Sequence, residues 1–152
     1  MQAPALRPRD AAEEIAAVRR FNRFYTRKLG LLRRTFLDTP WTLGEMRVLF
    51  EIVHGTNVTA SDVARALDLD AAYLSRLLAK LEKERLIVRT ASARDGRQYE
   101  LALTTKGRAA FNRADMRQAA QTAGMLARLT SDGRKKLIAA MAAIESLMGE
   151  AA

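Results

Sequence analysis

Hydrophobic residues recur at helical spacing along most of this chain, and the rhythm is interrupted once. From Ile15 the apolar positions run through Val18, Phe21, Tyr25, Leu29, Leu32 and Phe36 in steps of three or four, the period of a helix with one buried stripe. Pro40 ends that helix, because the residue before a proline is pushed out of the helical region. A second helix turns Met46, Leu49, Phe50 and Val53 to one face. Its start is marked by Thr42 and Glu45, the reciprocal pair of a capping box. Thr59 and Asp62 repeat the device ahead of a short helix with Val63, Ala64 and Leu67 inward. Residues 68–71 predict a tight turn. Asp70 is a good N-cap for a helix over 71–84 that carries Leu74, Leu77, Leu78 and Leu81 on one side and Tyr73, Ser75, Arg76, Lys80 and Lys83 elsewhere.

The period then changes. Residues 86–91 are β-branched and strand-like, and residues 98–104 alternate, with Tyr99, Leu101 and Leu103 on one face. Asp95-Gly96 between them is a strong signal for a tight hairpin. From Thr104 or Thr105 the helical pattern returns and runs to about Leu129. Thr130 to Gly133 offers new caps, and a last helix places Leu137, Met141, Ile144 and Met148 at steps of four, three and four. The predicted architecture is mainly α: four helices, a two-stranded β-hairpin and two further helices, with no internal repeat.

Composition narrows the function. A chain of 152 residues suggests one domain. Its 26 basic and 17 acidic side chains leave a net charge of +9, which favours a polyanionic partner, nucleic acid or an anionic membrane surface. Cysteine is absent, which excludes disulfides and thiolate chemistry. The single histidine, His54, reads as a helix-end residue, where a cation is favoured, rather than a zinc ligand. No phosphate-cradling glycine loop, activated nucleophile or metal cluster is present, so no catalytic residue, cofactor or metal is expected. No apolar run approaches the roughly 18 residues of a membrane span. Residues 1–10 hold two of the three prolines and no apolar core. They read as a loose tail rather than a signal peptide, and a cytoplasmic location is expected.

Two short helices joined by a tight turn make a helix-turn-helix, and a hairpin behind them makes it a winged one. The major groove is about 12 Å wide and admits one helix. The helix over 71–84 begins with small residues, Ala71 and Ala72, which let its backbone come close to base edges. Its N-terminus carries partial positive charge toward phosphates. Tyr73, Ser75, Arg76 and Lys80 are the candidate contacts beyond them, with Arg76 suited to a bidentate pair with guanine. A run of charges on a helix is commonly just a solvated face; the hairpin changes that reading. Its tip carries Arg94 and Arg97. A narrow minor groove favours an inserted arginine, here Arg97, with Arg94 on a flanking phosphate. Asp95 is expected to cap the turn or to pair with Arg97.

Residues 59–107 resemble the DNA-binding core of the MarR (multiple antibiotic resistance regulator) family of winged-helix regulators. The resemblance rests on the helix LSRLLAKLE, the Leu86-Ile87 opening of the first strand, the wing tip Asp95-Gly96-Arg97, and Leu103-Thr104 with Gly107 entering the next helix. Flanking helices fit as well, from residue 11 to 149. The resemblance implies a flexible tail over 1–10 and a single domain over 11–149. Within it, 42–104 is the winged helix-turn-helix, and 11–38 and 105–149 are dimerisation helices. It implies a sequence-specific DNA-binding transcriptional regulator, a homodimeric repressor on a pseudo-palindromic operator in double-stranded DNA. Two reading helices one turn of duplex apart, about 34 Å, suit such a site.

The first helix is unusually basic: Arg19, Arg20, Arg23, Arg27, Lys28, Arg33 and Arg34 fall between Ile15 and Leu37 with no acidic residue. These cations want counter-charge, from neighbouring helices, phosphates or an anionic ligand. By resemblance, a small aromatic or anionic effector entering the cleft between the dimer helices and the reading head releases the DNA, and Arg23, Tyr25, Trp41 and Arg47 are the candidates to line it. The segment DLDAAYLSRLL also resembles the regulator half of family members fused to an acetyltransferase. The alternative function is therefore the regulatory and dimerisation half of such a bifunctional protein, although the chain ends at MGEAA with no room for a second domain. A module that binds protein or membrane would need an exposed apolar patch on the 71–84 helix, and the outward residues there are polar or basic.

Overall fold

The structure, a computed structural model, describes residues 8–149, with side chains from residue 11. Of the tail expected over 1–10, the first seven residues lie outside that range, and the rest already belong to the first helix, α1 (Pro8–Lys28). It is followed by α2 (Leu43–His54), α3 (Ala60–Ala66), α4 (Ala71–Lys83), β1 (Ile87–Ala91), β2 (Tyr99–Leu103), α5 (Thr105–Ala127) and α6 (Ser131–Met148). The order is the predicted one, and the strands form an antiparallel hairpin with Ile87 opposite Leu103 and Ala91 opposite Tyr99.

The end of α1 differs from expectation. The apolar period continues to Phe36, yet the helix stops at Lys28. Gly30 takes a left-handed conformation, φ 70°. The Leu31 N–H reaches the Thr26 carbonyl at 3.0 Å and the Gly30 N–H reaches that of Arg27 at 3.1 Å, the paired bonds of a Schellman stop. Leu32, nominally on the buried stripe, stands exposed. A loop then leads to α2. Within it Leu37 and Asp38 both have positive φ, 49° and 57°, a conformation that costs about 1–2 kcal/mol for each non-glycine residue. Arg117 of α5 offsets this by donating to both of their carbonyl oxygens, at 3.1 and 3.0 Å.

Both predicted capping boxes form. Thr42 Oγ1 accepts the Glu45 N–H while Glu45 Oε2 accepts the Thr42 N–H, and Thr59 and Asp62 do the same on α3. The turn between α3 and α4 is a second Schellman stop. Asp68 is left-handed, φ 50°, and the Leu69 N–H reaches the Ala64 carbonyl at 2.9 Å. A third closes α4 at Arg85, φ 59°, bringing Leu86 back over Leu81 so that both are fully buried.

One feature escaped the sequence pattern. Thr59 bridges Glu100, and the Leu101 N–H donates to the Val58 carbonyl at 2.7 Å, so residues just ahead of α3 add a one-bridge third edge to the wing. A segment this short has no period to read. At the other end of the hairpin, Gly107 in the first turn of α5 lies against the Leu86 backbone, and a Cβ there would collide with the Leu86 carbonyl. Thr104 Oγ1 donates to the Arg85 carbonyl at 2.6 Å, locking α5 onto the end of α4.

The buried apolar core lies entirely between Trp41 and Ala114. Val48, Leu49, Val63, Leu74, Leu78, Leu81, Leu86 and Ile87 are its tightest members. α6 contributes no buried residue. On α1 the apolar residues Ile15, Val18, Phe21 and Phe24 are exposed, as are Ile138, Ile144, Leu147 and Met148 on α6.

Candidate nucleic-acid interface

Helix α4 is amphipathic by construction. Asp70 Oδ1 accepts the Tyr73 N–H at 2.8 Å, fixing the first turn, and four leucines, Leu74, Leu77, Leu78 and Leu81, are buried. That burial leaves Ala71, Ala72, Tyr73, Ser75 and Arg76 on the exposed side. The Arg76 guanidinium lies 5.8 Å from the Tyr73 ring centroid, within cation–π range, which holds its long side chain along the helix surface.

The wing is anchored at its root. Arg89 Nε on β1 donates to Glu82 Oε1 on α4 at 2.9 Å. The expected hairpin forms between β1 and β2. It closes through a loop: the Ser92 N–H donates to the Gln98 carbonyl, and the Gln98 N–H donates to the Asp95 carbonyl, each at 2.9 Å. Gly96 does not take the positive φ that a tight primed turn demands. Asp95 caps the turn, its Oδ1 accepting the Arg97 N–H at 3.0 Å. Ser92 Oγ donates to Glu100 Oε1 at 2.7 Å and accepts the Arg94 N–H, so the backbone of the loop is held while its arginine side chains are not.

Ion pairing sorts the cations of this region. Among the described residues Arg76, Lys83, Arg94 and Arg97 lie within ion-pair distance of no carboxylate, whereas Arg65, Lys80 and Arg89 do. Lys80 has a partner within the protein. Its Nζ is 2.6 Å from Glu45 Oε1, and Glu45 is buried at the start of α2. Its hydrogen bond to the Glu45 carboxylate raises the Lys80 pKa above its ordinary value of 10.5, with burial opposing. The two residues are 35 positions apart, beyond what a pattern along one helix can reveal.

The four residues expected to line an effector cleft are not brought together. Trp41 is buried in the core, its Nε1–H donating to Glu84 Oε2 at 2.8 Å. Tyr25 stacks on Phe21 of the same helix, centroids 5.5 Å apart. Two hollows flank the α1–α2 loop and share Phe36 and Leu43. The smaller, of about 20 Å³, is lined by Arg47 together with Met46, Phe50, Phe111 and Asp115. The larger, of about 130 Å³, has Arg27, Lys28 and Arg33 on its wall beside Leu37 and Gln121. Neither is lined by Arg23, Tyr25 or Trp41. The cations of the larger hollow belong to the basic run noted along the first helix; the turn at Gly30 is what gathers them.

Among the described residues no helix is long and apolar enough to cross a membrane. The sequence model of the MarR family matches residues 37–98, from the α1–α2 loop to the wing tip. A protein of Thauera aromatica, assigned as a transcriptional regulator of the hcr operon, is 32% identical over 125 residues, covering 82% of this chain and 69% of its own. An HTH-type transcriptional repressor of Mycobacterium tuberculosis is 30% identical over 95 residues, covering 62% of this chain and 68% of its own. Among solved structures, the MepR–DNA complex of Staphylococcus aureus superposes with a TM-score of 0.69 at 21% identity, over 83% of this chain and 93% of the other. BpsR of Bordetella bronchiseptica, whose DNA binding is regulated by 6-hydroxynicotinic acid, gives 0.67 at 19% identity, over 86% and 98%.

Proposed function

The chain belongs to the MarR family of DNA-binding, winged-helix transcriptional regulators, and from that premise we propose that it acts as a homodimeric repressor released by a small aromatic acid. The observation that carries the DNA-reading surface is the sorting of cations. Arg76 on α4 and Arg94 and Arg97 on the wing are left without carboxylate partners among the described residues, on elements whose backbones are firmly anchored. Charges held in place but not neutralised are what a phosphate backbone needs. In this reading Ala71, Ala72, Tyr73, Ser75 and Arg76 face base edges, Arg97 enters the adjoining minor groove and Arg94 meets a phosphate.

The dimer is supported by the uncovered apolar faces of α1 and α6. Apolar stripes of that extent need a partner surface, and obligate interfaces often exceed about 2,000 Å². Two copies around a two-fold axis would set the α4 helices one duplex turn apart, about 34 Å, matching a pseudo-palindromic operator. Repression would then follow from steric exclusion of polymerase.

The larger hollow, rather than the set Arg23, Tyr25, Trp41 and Arg47, is the effector site that fits a small acid. Its volume of about 130 Å³ is close to the ~150 Å³ cavity that accepts a benzene ring, and its three cations suit a carboxylate. An effector shifts DNA affinity only if it binds the competent and incompetent arrangements unequally. Regulation of BpsR by 6-hydroxynicotinic acid is a precedent for that ligand class.

The test is selection of bound sequences from random duplexes, followed by titration of the selected operator. Operator affinity should fall by about 10³-fold or more between 50 and 200 mM salt if six or more phosphates are neutralised, and a flat salt response would defeat the reading. Benzoate-class acids should release the operator, and Arg33→Ala should weaken that release without weakening DNA binding itself.

A further inference from the structure

We propose that Lys80, Glu45, Glu84 and Trp41 are positioning residues: a polar lock between α2 and the far end of α4 that sets the angle at which the reading end of α4 meets DNA. The inference rests on the reading that α4 faces the bases, and goes beyond it by assigning base selectivity to side chains that never touch DNA.

The geometry is that of two anchors one helical turn apart. Glu45 is 2% exposed and has both carboxylate oxygens engaged. Oε2 accepts the Thr42 N–H at 2.9 Å, and Oε1 accepts Lys80 Nζ at 2.6 Å. Four residues on, at the C-cap of α4, Glu84 Oε2 accepts the Trp41 indole N–H at 2.8 Å, while its Oε1 lies 3.9 Å from Lys80 Nζ. Both anchors reach the same short stretch, residues 41–45, at the entrance to α2. One fixed point would let α4 swivel; two restrain its direction.

Alongside these anchors α4 packs through four leucines, and apolar packing is not directional. Hydrogen bonds are, with strong preferences in distance and angle. The reading end begins at Ala71, nine residues before Lys80. At 1.5 Å per residue, a tilt of about 5° at the anchors moves that end by roughly 1–2 Å. A base contact with an optimum near 2.9 Å does not survive such a shift. Lys80 also differs chemically from the wing arginines. Its charge is already balanced by a buried carboxylate, so it has little left to offer a phosphate.

The experiment separates a positioning role from a phosphate contact by measuring two quantities for each variant: the affinity ratio between the selected operator and a single-base variant of it, and the slope of log K against log salt. Lys80→Met should lower the ratio about tenfold, on the scale of one mismatched base pair, and leave the slope unchanged. Glu45→Gln keeps an acceptor for the Thr42 N–H and should produce the same loss. The double variant should be no worse than either single one. Trp41→Phe keeps the aromatic plug, removes only the indole donor, and decides the matter should the first two variants lose their helical circular dichroism; it too should lower the ratio. A slope reduced by about 0.9 in Lys80→Met, one phosphate's share, with the ratio intact, overturns the proposal. Arg76→Ala is the separate control. If it leaves the ratio unchanged, the base-reading role of α4 fails; if it relaxes the ratio while the lock variants do not, the lock alone fails.

Discussion

The middle of this molecule and its two ends are built from similar helices and reach opposite outcomes. Between Trp41 and Ala114 three helices, the hairpin and the first half of α5 close around one another, and among the described residues every buried apolar one lies in that span. α1 and α6 are as regular, and longer than α2, α3 or α4, yet α6 has no fully buried residue and Leu147 is 87% exposed. A helical stripe is stabilised only by the surface that covers it. In the middle, sequence neighbours supply that surface; at the ends they do not. The contrast divides stability, a property of one chain, from assembly, which the proposed second copy would complete.

The contrast breaks if the two regions respond alike to truncation. Leu78→Ala, in the sealed core, should lower unfolding free energy by about 2–5 kcal/mol, read from urea melts at matched protein concentration. Leu147→Ser, on the uncovered face of α6, should leave the intrinsic stability of the core within about 0.5 kcal/mol and weaken self-association by about 1–2 kcal/mol, measured by analytical ultracentrifugation. An equal loss of core stability from the two changes would erase the distinction.

Smaller effects sharpen it. Thr42→Ala and Thr59→Ala each remove a cap worth about 1 kcal/mol. The first should cost more, because it also disturbs a buried carboxylate, Glu45, whereas the second leaves Asp62 in solvent. The least effect is expected from titration. Backbone and side-chain hydrogen bonds from Thr59 hold the Asp62 carboxyl below its ordinary 3.8. A lowered folded-state pKa contributes stability that is present above the ordinary value and lost as pH falls through the lowered one. Lys80 runs the other way. Its pKa is raised, so its contribution is complete below 10.5 and lost as pH rises through the raised value. Thermal melts of Asp62→Asn should therefore lose part of the wild-type decline below pH 4, and Lys80→Met part of the decline above pH 10.5.

How legible each part was depends on how far its causes lie along the chain. Both capping boxes, the Asp70 cap and the Thr130 cap were readable because the partners stand three residues apart. The end of α1 is only partly legible: Gly30 marks it, but the apolar period runs past Gly30 to Phe36. The wing and its Asp95 cap are readable because the hairpin signal and the capping contact both lie within a few residues. Arg76, Arg94 and Arg97 were singled out from residue type and position. Lys80 has the same type and a neighbouring position, and nothing local distinguishes it from them.

What the sequence determined by itself was the succession of elements, their caps and which side of each helix is oily, because periodicity and capping act within a few residues and do not depend on the rest of the fold. What only the tertiary structure decided was which polar groups are already spent. Trp41 meets Glu84 across 43 positions, and Arg117 holds the carbonyls of Leu37 and Asp38 from 80 and 79 positions away. A lysine bound to a buried carboxylate and one facing solvent are the same letter in a chain, and folding alone brings the carboxylate to one of them.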